Sequence, residues 1–439
     1  MRNLRMHRRS VLQAGLSFLA LTPATRSYAG SVVVDVMVPP APAPAQIGMP
    51  IDPAILLAAQ LRLGRNLVRR LARTDRTKRN VVVSPASLIT ILALLDLGAS
   101  DSMRTALHRS LGFSATSDKT ANADFSGVRA AISAVLRRTN AGGPLTLANM
   151  IVFDPASKPF QLALLGLSAA GADVLVEDLG KPQAISLINV FVKNRTNGLI
   201  PEVLDEAPED VGLVAINALY FKDRWKVPFN LAETRVAPFH KSNGKSVEVP
   251  MMHLAQGRYP FRQNDKFIAV ELSYAADDYK LVVVTTKSWS AHARGFMGVA
   301  DWLGGRDFTL QTGEVAMPKF SSSETAELLE SLDALGLKAA RKKPAALGGF
   351  SPVPQTISRI VQKTELRINE EGTEAAAATA VTTLRSISPE SDYVKMVVDK
   401  PFMFALRDQR TGLILLAGYV GEPKAGKTVE SSGEDYRIK

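Results

Sequence analysis

A run of very small side chains occupies positions 370–380, where the sequence reads EEGTEAAAATA. Apart from three carboxylates, no side chain in this segment is larger than threonine, so the segment cannot form a hydrophobic core of its own. It can form a short helix that Thr373 caps and the alanines at 375–378 propagate, since Thr is a common N-cap and Ala the strongest helix former. In that interpretation the run is an ordinary helical element.

A second interpretation extends a strand. The residues before the run, LRIN at 366–369, alternate apolar and polar side chains, and Gly372 marks the place where the strand ends. Alternate residues of a strand share a face. One face of the run would therefore carry only small side chains, which a packed interior can accept between two neighbouring strands. These residues are Thr373, Ala375, Ala377 and Thr379. The segment alone leaves both interpretations open.

Six separated segments of the chain carry a resemblance to one family. The run at 370–380 is preceded, in this order, by NVVVSPASL at 80–88, NRTNGLIP at 194–201, NALYFKDRWK at 217–226 and AMPKF at 316–320, and is followed by MVVDKPFMFAL at 396–406. Together they resemble the serpins, and the run itself resembles the mobile hinge of that family. The resemblance extends over about residues 54–424.

The resemblance implies an α+β protein with the serpin fold: about nine helices, three β-sheets, an exposed reactive-centre loop and a metastable native state. The residue pattern agrees with this class, because helical periodicity dominates the first half and strand-like segments the second. Ser84-Pro85 predicts the start of a buried helix that ends at Gly98. The predicted strands are LTLANMIVF at 145–153, GLVAINALYF at 212–221, FIAVELSY at 267–274 and KLVVVTT at 280–286.

The resemblance also implies a serine-type endopeptidase inhibitor that acts as a suicide substrate. A target protease would cleave the exposed loop, form an acyl-enzyme through its own nucleophile, and be trapped when the cut loop inserts into the main sheet. Non-inhibitory serpins tend to break the hinge with bulky, charged or Pro residues, and this chain does not. The alternative is a serpin fold that serves only as a protease substrate or binding module. The predicted hinge consists of Glu370, Glu371, Gly372, Thr373, Glu374, Ala375, Ala376, Ala377, Ala378 and Thr379.

By the same resemblance, two groups of residues control the opening of the sheet. Glu370 is expected to pair with Lys319 near Trp225, in a region called the breach, where insertion begins. Gln362 stands where many serpins have His, and it donates and accepts hydrogen bonds without a pH-dependent charge. Phe191 stands where the family often has Trp. The polar cluster expected beneath the sheet, called the shutter, contains Ser84, Ser87 and Asn217.

The spacing from hinge to cleavage site leaves two candidates for the reactive bond. The usual spacing reaches Ser386-Ile387, and the common shorter spacing reaches Arg385-Ser386. Arg385 favours a trypsin-like target, because the acidic specificity pocket of such enzymes selects a cation. A cut after Ser386 would suit elastase-like or subtilisin-like proteases, and one after Leu384 would suit chymotrypsin-like ones. The prediction leans to Arg385-Ser386.

Both ends of the chain have the composition of segments outside the folded domain. Residues 1–29 hold a basic start with Arg8-Arg9, a short apolar stretch and a small-residue end at Ala29, which predicts a signal peptide of the twin-arginine type. This segment carries five Arg and no acidic residue, so its removal lowers the formal net charge from +11 to +6. The expectation is an exported, bacterial-type serpin, periplasmic or extracellular. The predicted regions are the signal peptide, a Pro/Ala-rich tether at 30–53, the serpin domain at 54–424 and a polar tail at 425–439.

Other classes of function have little support. The chain has no cysteine, which excludes disulfides and thiolate sites, and it lacks nucleotide-binding, metalloprotease and hydrolase motifs. Neither an enzyme nor a cofactor or metal site is predicted, and no apolar run is long enough to span a membrane. The resemblance implies a monomer whose partner is a protease and not a nucleic acid. A cationic helical face could bind a polyanion, although a solvated face is the favoured interpretation; it carries Arg62, Arg65, Arg69 and Arg73.

Overall fold

The computed structural model describes most of the chain. The described residues are 53–74, 80–111, 143–207, 212–241, 243–288, 295–343, 345–373 and 393–424, together with two short strands near the N-terminus. Those strands, β1 (Ser27–Tyr28) and β2 (Ser31–Val32), pair antiparallel with each other in a separate compact unit. Apart from these strands and Pro53, the predicted signal peptide and tether lie outside the described residues, and so does the predicted tail.

The described residues form seven α-helices, of which the second is buried on every side. Its N-cap is Ser84, whose hydroxyl accepts the Ser87 main-chain N–H, and Pro85 occupies the first helical position, as predicted. No helix among the described residues is long and apolar enough to cross a membrane. The helices are α1 (Pro53–Thr74), α2 (Pro85–Asp96), α3 (Asp101–Leu111), α4 (Gln161–Ala169), α5 (Pro182–Arg195), α6 (Leu329–Leu332) and α7 (Lys338–Arg341).

The remaining strands form two large sheets. The predicted strand at 145–153 is confirmed at both ends, and those at 212–221, 267–274 and 280–286 are confirmed to within one residue. In chain order the strands are β3 (Asn80–Val83), β4 (Leu145–Phe153), β5 (Asp173–Val176), β6 (Leu213–Phe221), β7 (Asp223–Arg224), β8 (Arg235–His240), β9 (Ser246–Gln263), β10 (Phe267–Ser273), β11 (Tyr279–Thr286), β12 (Thr309–Pro318), β13 (Phe320–Glu327), β14 (Ile357–Ile368), β15 (Gly372–Thr373), β16 (Val394–Val397), β17 (Phe402–Asp408) and β18 (Ile414–Val420).

The first sheet has seven strands. Its order is β5-β4-β6-β14, with β13 on the far side of β14 and the short strands β15 and β7 beyond the end of β14. The central strand β6 is buried along its whole length, which agrees with its apolar sequence LVAINALYF. We refer to this seven-stranded sheet as the main sheet.

The second sheet has nine strands in the order β16-β12-β9-β10-β11-β17-β18-β3, with β8 pairing β9. The long strand β9 pairs with β12 over most of its length, but it meets β10 only at residues 261–263. The described residues thus contain two large sheets and not the predicted three, because β9 connects two groups of strands that would otherwise be separate. The predicted α+β class is confirmed.

The core lies around α2. This helix contacts β6 of the seven-stranded sheet and β18 of the nine-stranded sheet, and its Leu88, Ile89, Ile91 and Leu92 are fully buried. Because α2 is apolar on all faces, it can fill the space against both sheets at once. The N-terminus of α2 therefore lies directly beneath the main sheet, where it can contact the central strands.

Candidate functional site

The central pair of the main sheet is parallel. β6 runs parallel to β14 over Leu213 to Tyr220, whereas the outer pairs β4/β6 and β13/β14 are antiparallel. Parallel pairing is slightly less stable per residue than antiparallel pairing. A further strand that ran between β6 and β14 in the opposite direction would be antiparallel to both. The edge pair β4/β5 is also parallel, but between β6 and β14 an added strand would replace a weaker ladder with two stronger ones at the centre of the sheet.

The chain that leaves β14 already turns in that direction. The main chain folds back between Asn369 and Gly372, where the Asn369 side-chain oxygen accepts the N–H groups of Glu371 and Gly372 at 3.0 and 3.1 Å. Thr373 then pairs antiparallel with Ile368 at the end of β14. On its other side β15 pairs antiparallel with β7, which follows β6 in the chain. The first residues of the predicted hinge therefore lie between the continuations of β14 and β6.

Gly372 is required here by a close approach. A Cβ atom built on Gly372 would lie 2.1 Å from the main-chain oxygen of Asp223 and 2.7 Å from the Cα of Arg224. Neither atom belongs to a side chain that could move aside. Any other residue at this position would therefore push β15 away from β7, so the glycine sets the contact between the hinge and the main sheet.

Thr373 is fully buried beneath an aromatic pair. Its Oγ1 lies 2.8 Å from the hydroxyl of Tyr274, and the Tyr274 ring stacks on Trp225 with ring centroids 4.4 Å apart. Trp225 in turn donates its indole N–H to the Asn369 carbonyl at 2.9 Å and its main-chain N–H to the Glu371 carbonyl at 2.8 Å. Burial raises the pKa of Tyr274, so its hydroxyl stays protonated and can donate.

Glu370 is held by two side chains. Lys319 Nζ lies 3.0 Å from Glu370 Oε2, and the Thr234 hydroxyl donates to Oε1 at 3.0 Å. Burial alone would raise the pKa of Glu370, but a main-chain hydrogen bond, the Lys319 ammonium and the Thr234 hydroxyl together hold it below its ordinary value. The two residues that the resemblance pairs are thus in contact, and Phe229 fixes the same turn by donating its N–H to the Glu370 carbonyl at 2.8 Å.

The shutter residues make two separate sets of hydrogen bonds, one at each of the two central strands β14 and β6. Gln362 of β14 accepts the Ser84 N–H at 2.7 Å and donates to the Ser84 carbonyl at 2.9 Å, and the Ser84 hydroxyl bonds to Ser87 at 2.7 Å. Asn217 of β6 donates instead to Asn149 of β4 at 2.5 Å. Hydrogen bonds therefore connect β14 to the start of α2 through Gln362 and Ser84, and they connect β6 to β4 through Asn217.

Four functional neighbours did not appear in the sequence prediction. Asn149, Thr234 and Tyr274 contact predicted site residues from distant parts of the chain, so no local motif marks them. Asn369 directly precedes the hinge and contacts Trp225 through its main-chain carbonyl. Phe191 of α5 lies partly buried, with the Arg195 guanidinium 5.5 Å from its ring centre. On α1, Arg62 and Arg65 are exposed. Within the described ranges, no group of three or more His, Asp and Glu side chains is placed to hold a metal ion.

Comparison with known proteins identifies the family. A family model described as Serpin (serine protease inhibitor) matches residues 58–423. The chain belongs to the serpin family. Human neuroserpin is 27% identical to this serpin over 392 residues, which cover 84% of this chain and 92% of neuroserpin. The leukocyte elastase inhibitor of Bos taurus is 30% identical over 363 residues, which cover 78% of this chain and 93% of the inhibitor.

A solved structure shows the same architecture. Serpin48 of the insect Tenebrio molitor matches with a TM-score of 0.70 and 26% identity, over 85% of this chain and 98% of Serpin48. Serpins target proteases as inhibitors and are in general not enzymes. The rest of the predicted hinge, at 374–379, lies outside the described residues, as do the reactive-bond candidates Leu384, Arg385, Ser386 and Ile387.

Proposed function

We propose that this serpin inhibits a serine protease as a suicide substrate. The observation that carries the proposal is the parallel pair β6/β14 beside a chain that has turned antiparallel to β14 at Thr373. The hinge sequence supports the proposal, because the residues that follow on the same strand face are Ala375, Ala377 and Thr379. Side chains of this size can enter a packed sheet without displacing its neighbours.

In the proposed reaction the protease performs the chemistry. Its serine oxygen attacks the carbonyl carbon of the reactive bond, and the amine of the next residue leaves, which joins the two proteins by an ester. The cut frees the chain that begins at β15. This chain then extends β15 between β14 and β6 and moves the attached protease with it. Distortion of the protease active site prevents hydrolysis of the ester.

The free energy for this step comes from strand pairing. An added strand would exchange one parallel ladder for two antiparallel ones, and every main-chain N–H and C=O in it could find a partner. The uncleaved protein cannot reach this arrangement while the segment is connected at both ends, so its fold is kinetically trapped. Cleavage removes one of these two connections and allows the segment to insert.

The register of β15 predicts what the inserted strand would meet. Thr373 lies opposite Ile368, so an extended antiparallel strand would place Thr379 opposite Gln362, which lies beside Asn217 of β6. The Asn217 Oδ1 is buried and has no hydrogen-bond partner among the described residues. A hydroxyl at position 379 would arrive next to this acceptor. Insertion would therefore satisfy a polar atom that the uncleaved sheet leaves unpaired.

We assign the reactive bond to Arg385-Ser386 and expect a trypsin-like target, with Ser386-Ile387 as the second candidate. The basic, apolar and small-residue regions of 1–29 support export to the periplasm or the outside of the cell. An exported inhibitor would meet secreted proteases there. It would act as a monomer, since the proposed reaction needs one serpin and one protease.

Incubation with trypsin, elastase, subtilisin and chymotrypsin, followed by denaturing gels, tests the proposal. A serpin–protease complex that survives boiling supports trapping. Clean cleavage without a complex overturns it in favour of a serpin that is only a substrate. Mass spectrometry of the released C-terminal fragment locates the reactive bond, and a fragment that begins at neither Ser386 nor Ile387 contradicts the assignment.

A further inference from the structure

A chain of polar contacts connects the two anchors of the reactive-centre loop across the nine-stranded sheet. The first anchor is Glu370, before the loop, and the second is β16, after it. Between them the contacts pass along the 3-10 turn at Leu231–Glu233 and the neighbouring strands β9 and β12. In order, the residues are Glu370, Thr234, Glu233, His253, Glu314 and Lys395, and all neighbours in this series are in polar contact except Thr234 and Glu233, which are joined by the peptide bond between them.

His253 is the centre of this chain. Its Nδ1 lies 2.9 Å from Glu233 Oε2, and its Nε2 lies 3.5 Å from Glu314 Oε2. The imidazole therefore lies between two carboxylates, one on each ring nitrogen. Asn230 donates its side-chain amide to the other oxygen of Glu233 at 2.9 Å, which fixes that carboxylate next to the ring.

Glu314 carries the contact to the second anchor. It lies directly opposite Lys395 in the parallel pair β12/β16, and Lys395 Nζ is 2.9 Å from Glu314 Oε1. The Tyr393 hydroxyl also bonds to this carboxylate. β16 is a four-residue strand at the edge of its sheet. Such a strand has one ladder only, and the contact between Glu314 and Lys395 adds to the burial of Val394 and Met396 in holding it.

The protonation state of the ring decides how many of these contacts form. A neutral imidazole has one N–H and can donate to Glu233 or to Glu314, while the other carboxylate faces a lone pair. A protonated ring donates to both. Protonation of the ring would therefore tighten the chain of contacts, and about pH 8 and about pH 5.5 lie on either side of the ordinary pKa of histidine as a residue type.

The carboxylates remain charged over this range. The hydrogen bond from His253 holds the pKa of Glu233 below its ordinary value, and Lys395 does the same for Glu314. The other charged groups around the ring are Arg235, which lies beside Glu233, and Lys395 itself.

We propose that His253 is a positioning residue that couples the two anchors of the reactive-centre loop, and that the coupling strengthens when the ring is protonated. The inference depends on the proposed function for its consequence: a firmer β16 would keep the uncleaved loop in place under mild acid. The contacts themselves do not depend on that function.

Amide hydrogen exchange of the full-length protein tests the proposal. The readout is the protection of β16 amides at about pH 8 and about pH 5.5, corrected for the intrinsic pH dependence of exchange. Partly exposed ion pairs contribute modestly, so we expect protection to rise roughly two- to fivefold in acid. His253→Gln should remove this rise, and Glu314→Gln should remove it as well.

The matched control is His240→Gln, which removes a histidine of the neighbouring strand β8 whose ring bonds to the Ser246 hydroxyl and which lies outside the chain of contacts between the two anchors. This variant should keep the rise. Amides of the buried strand β11 report whether each variant is folded. A rise that persists in His253→Gln, or one that His240→Gln abolishes, overturns the proposal. Gels with trypsin, elastase, subtilisin and chymotrypsin on the same samples separate the two hypotheses, because a wild type that forms no complex with any of them refutes the inhibitor function and leaves the exchange result intact.

Discussion

The substitution Thr373→Arg tests the insertion step most directly. Thr373 is fully buried and bonds to the Tyr274 hydroxyl. An arginine can avoid burial in the uncleaved protein only by releasing β15 into solvent, so insertion must then bury an unpaired charge. Such a charge costs about 3–5 kcal/mol, and about 1.4 kcal/mol corresponds to a tenfold change in rate. Insertion should therefore slow by a factor on the order of one hundred or more. Hydrolysis of the acyl-enzyme should then be faster than insertion and release active protease.

The assay is an equimolar reaction with trypsin. Boiled samples on denaturing gels measure the covalent complex, and titration of residual trypsin activity measures trapping. The wild type should give a complex and lose trypsin activity, whereas Thr373→Arg should be cleaved and leave trypsin fully active. The reasoning would be refuted if Thr373→Arg formed as much covalent complex with trypsin as the wild type does.

Two controls separate charge from general sensitivity. Thr373→Val keeps the volume and loses one hydrogen bond, about 1 kcal/mol, so most trapping should survive. In Glu374→Arg the charge would face the opposite side of an inserted strand, and trapping should also survive. Equal loss in all three variants would show that the position tolerates no change, and burial of charge would then not be the cause.

Three further predictions concern the contacts around the hinge and the reactive bond. Glu370→Gln removes the ion pair with Lys319 and should lower the free energy of unfolding by about 1.5 kcal/mol at neutral pH. Because the folded pKa of Glu370 is lowered, this contribution is present above the ordinary carboxylate pKa and is lost as the pH falls through the lowered value; thermal unfolding of both proteins as a function of pH checks this, and a gap that persists in strong acid contradicts it. Gln362→Leu leaves the Ser84 main-chain N–H without its partner, while the Ser84 C=O still accepts the Leu88 N–H, and it should cost about 1–3 kcal/mol in urea unfolding; a change below about 0.5 kcal/mol would show that water replaces the side chain. Arg385→Ala should abolish the complex with trypsin while elastase is still trapped, and a persisting trypsin complex would move the reactive bond elsewhere.

Local pattern predicted the secondary structure of the site well. The alternation and apolar runs at 145–153 and 212–221 identified β4 and β6, and Ser84-Pro85 identified the start of α2, because these signals depend on residues close in sequence. The pairing of Glu370 with Lys319 came from the family resemblance, since no physical rule links two residues so far apart in the chain. The pair is present in the structure.

The polar partners of the site could not be predicted in this way. Asn149 and His253 lie on strands, and Tyr274 directly follows one. The neighbours of these strands are set by the topology of the whole sheet, and nothing in the local sequence shows which strand comes next to them. Gly372 is a related case. Its conformational freedom was predicted from the sequence, but the need for glycine arises from the Asp223 main chain, which approaches only in the folded sheet.

The positions of β17 and β18 have a consequence for protein synthesis. These strands come last in the chain, yet they lie between β11 and β3 in the interior of the nine-stranded sheet. β3 and β11 leave the ribosome long before their partners, and both are largely apolar strands with an unpaired edge until then. A product truncated before Phe402 would keep these edges open. We expect such a fragment to aggregate through these edges, so a soluble product requires synthesis of the chain through β17 and β18.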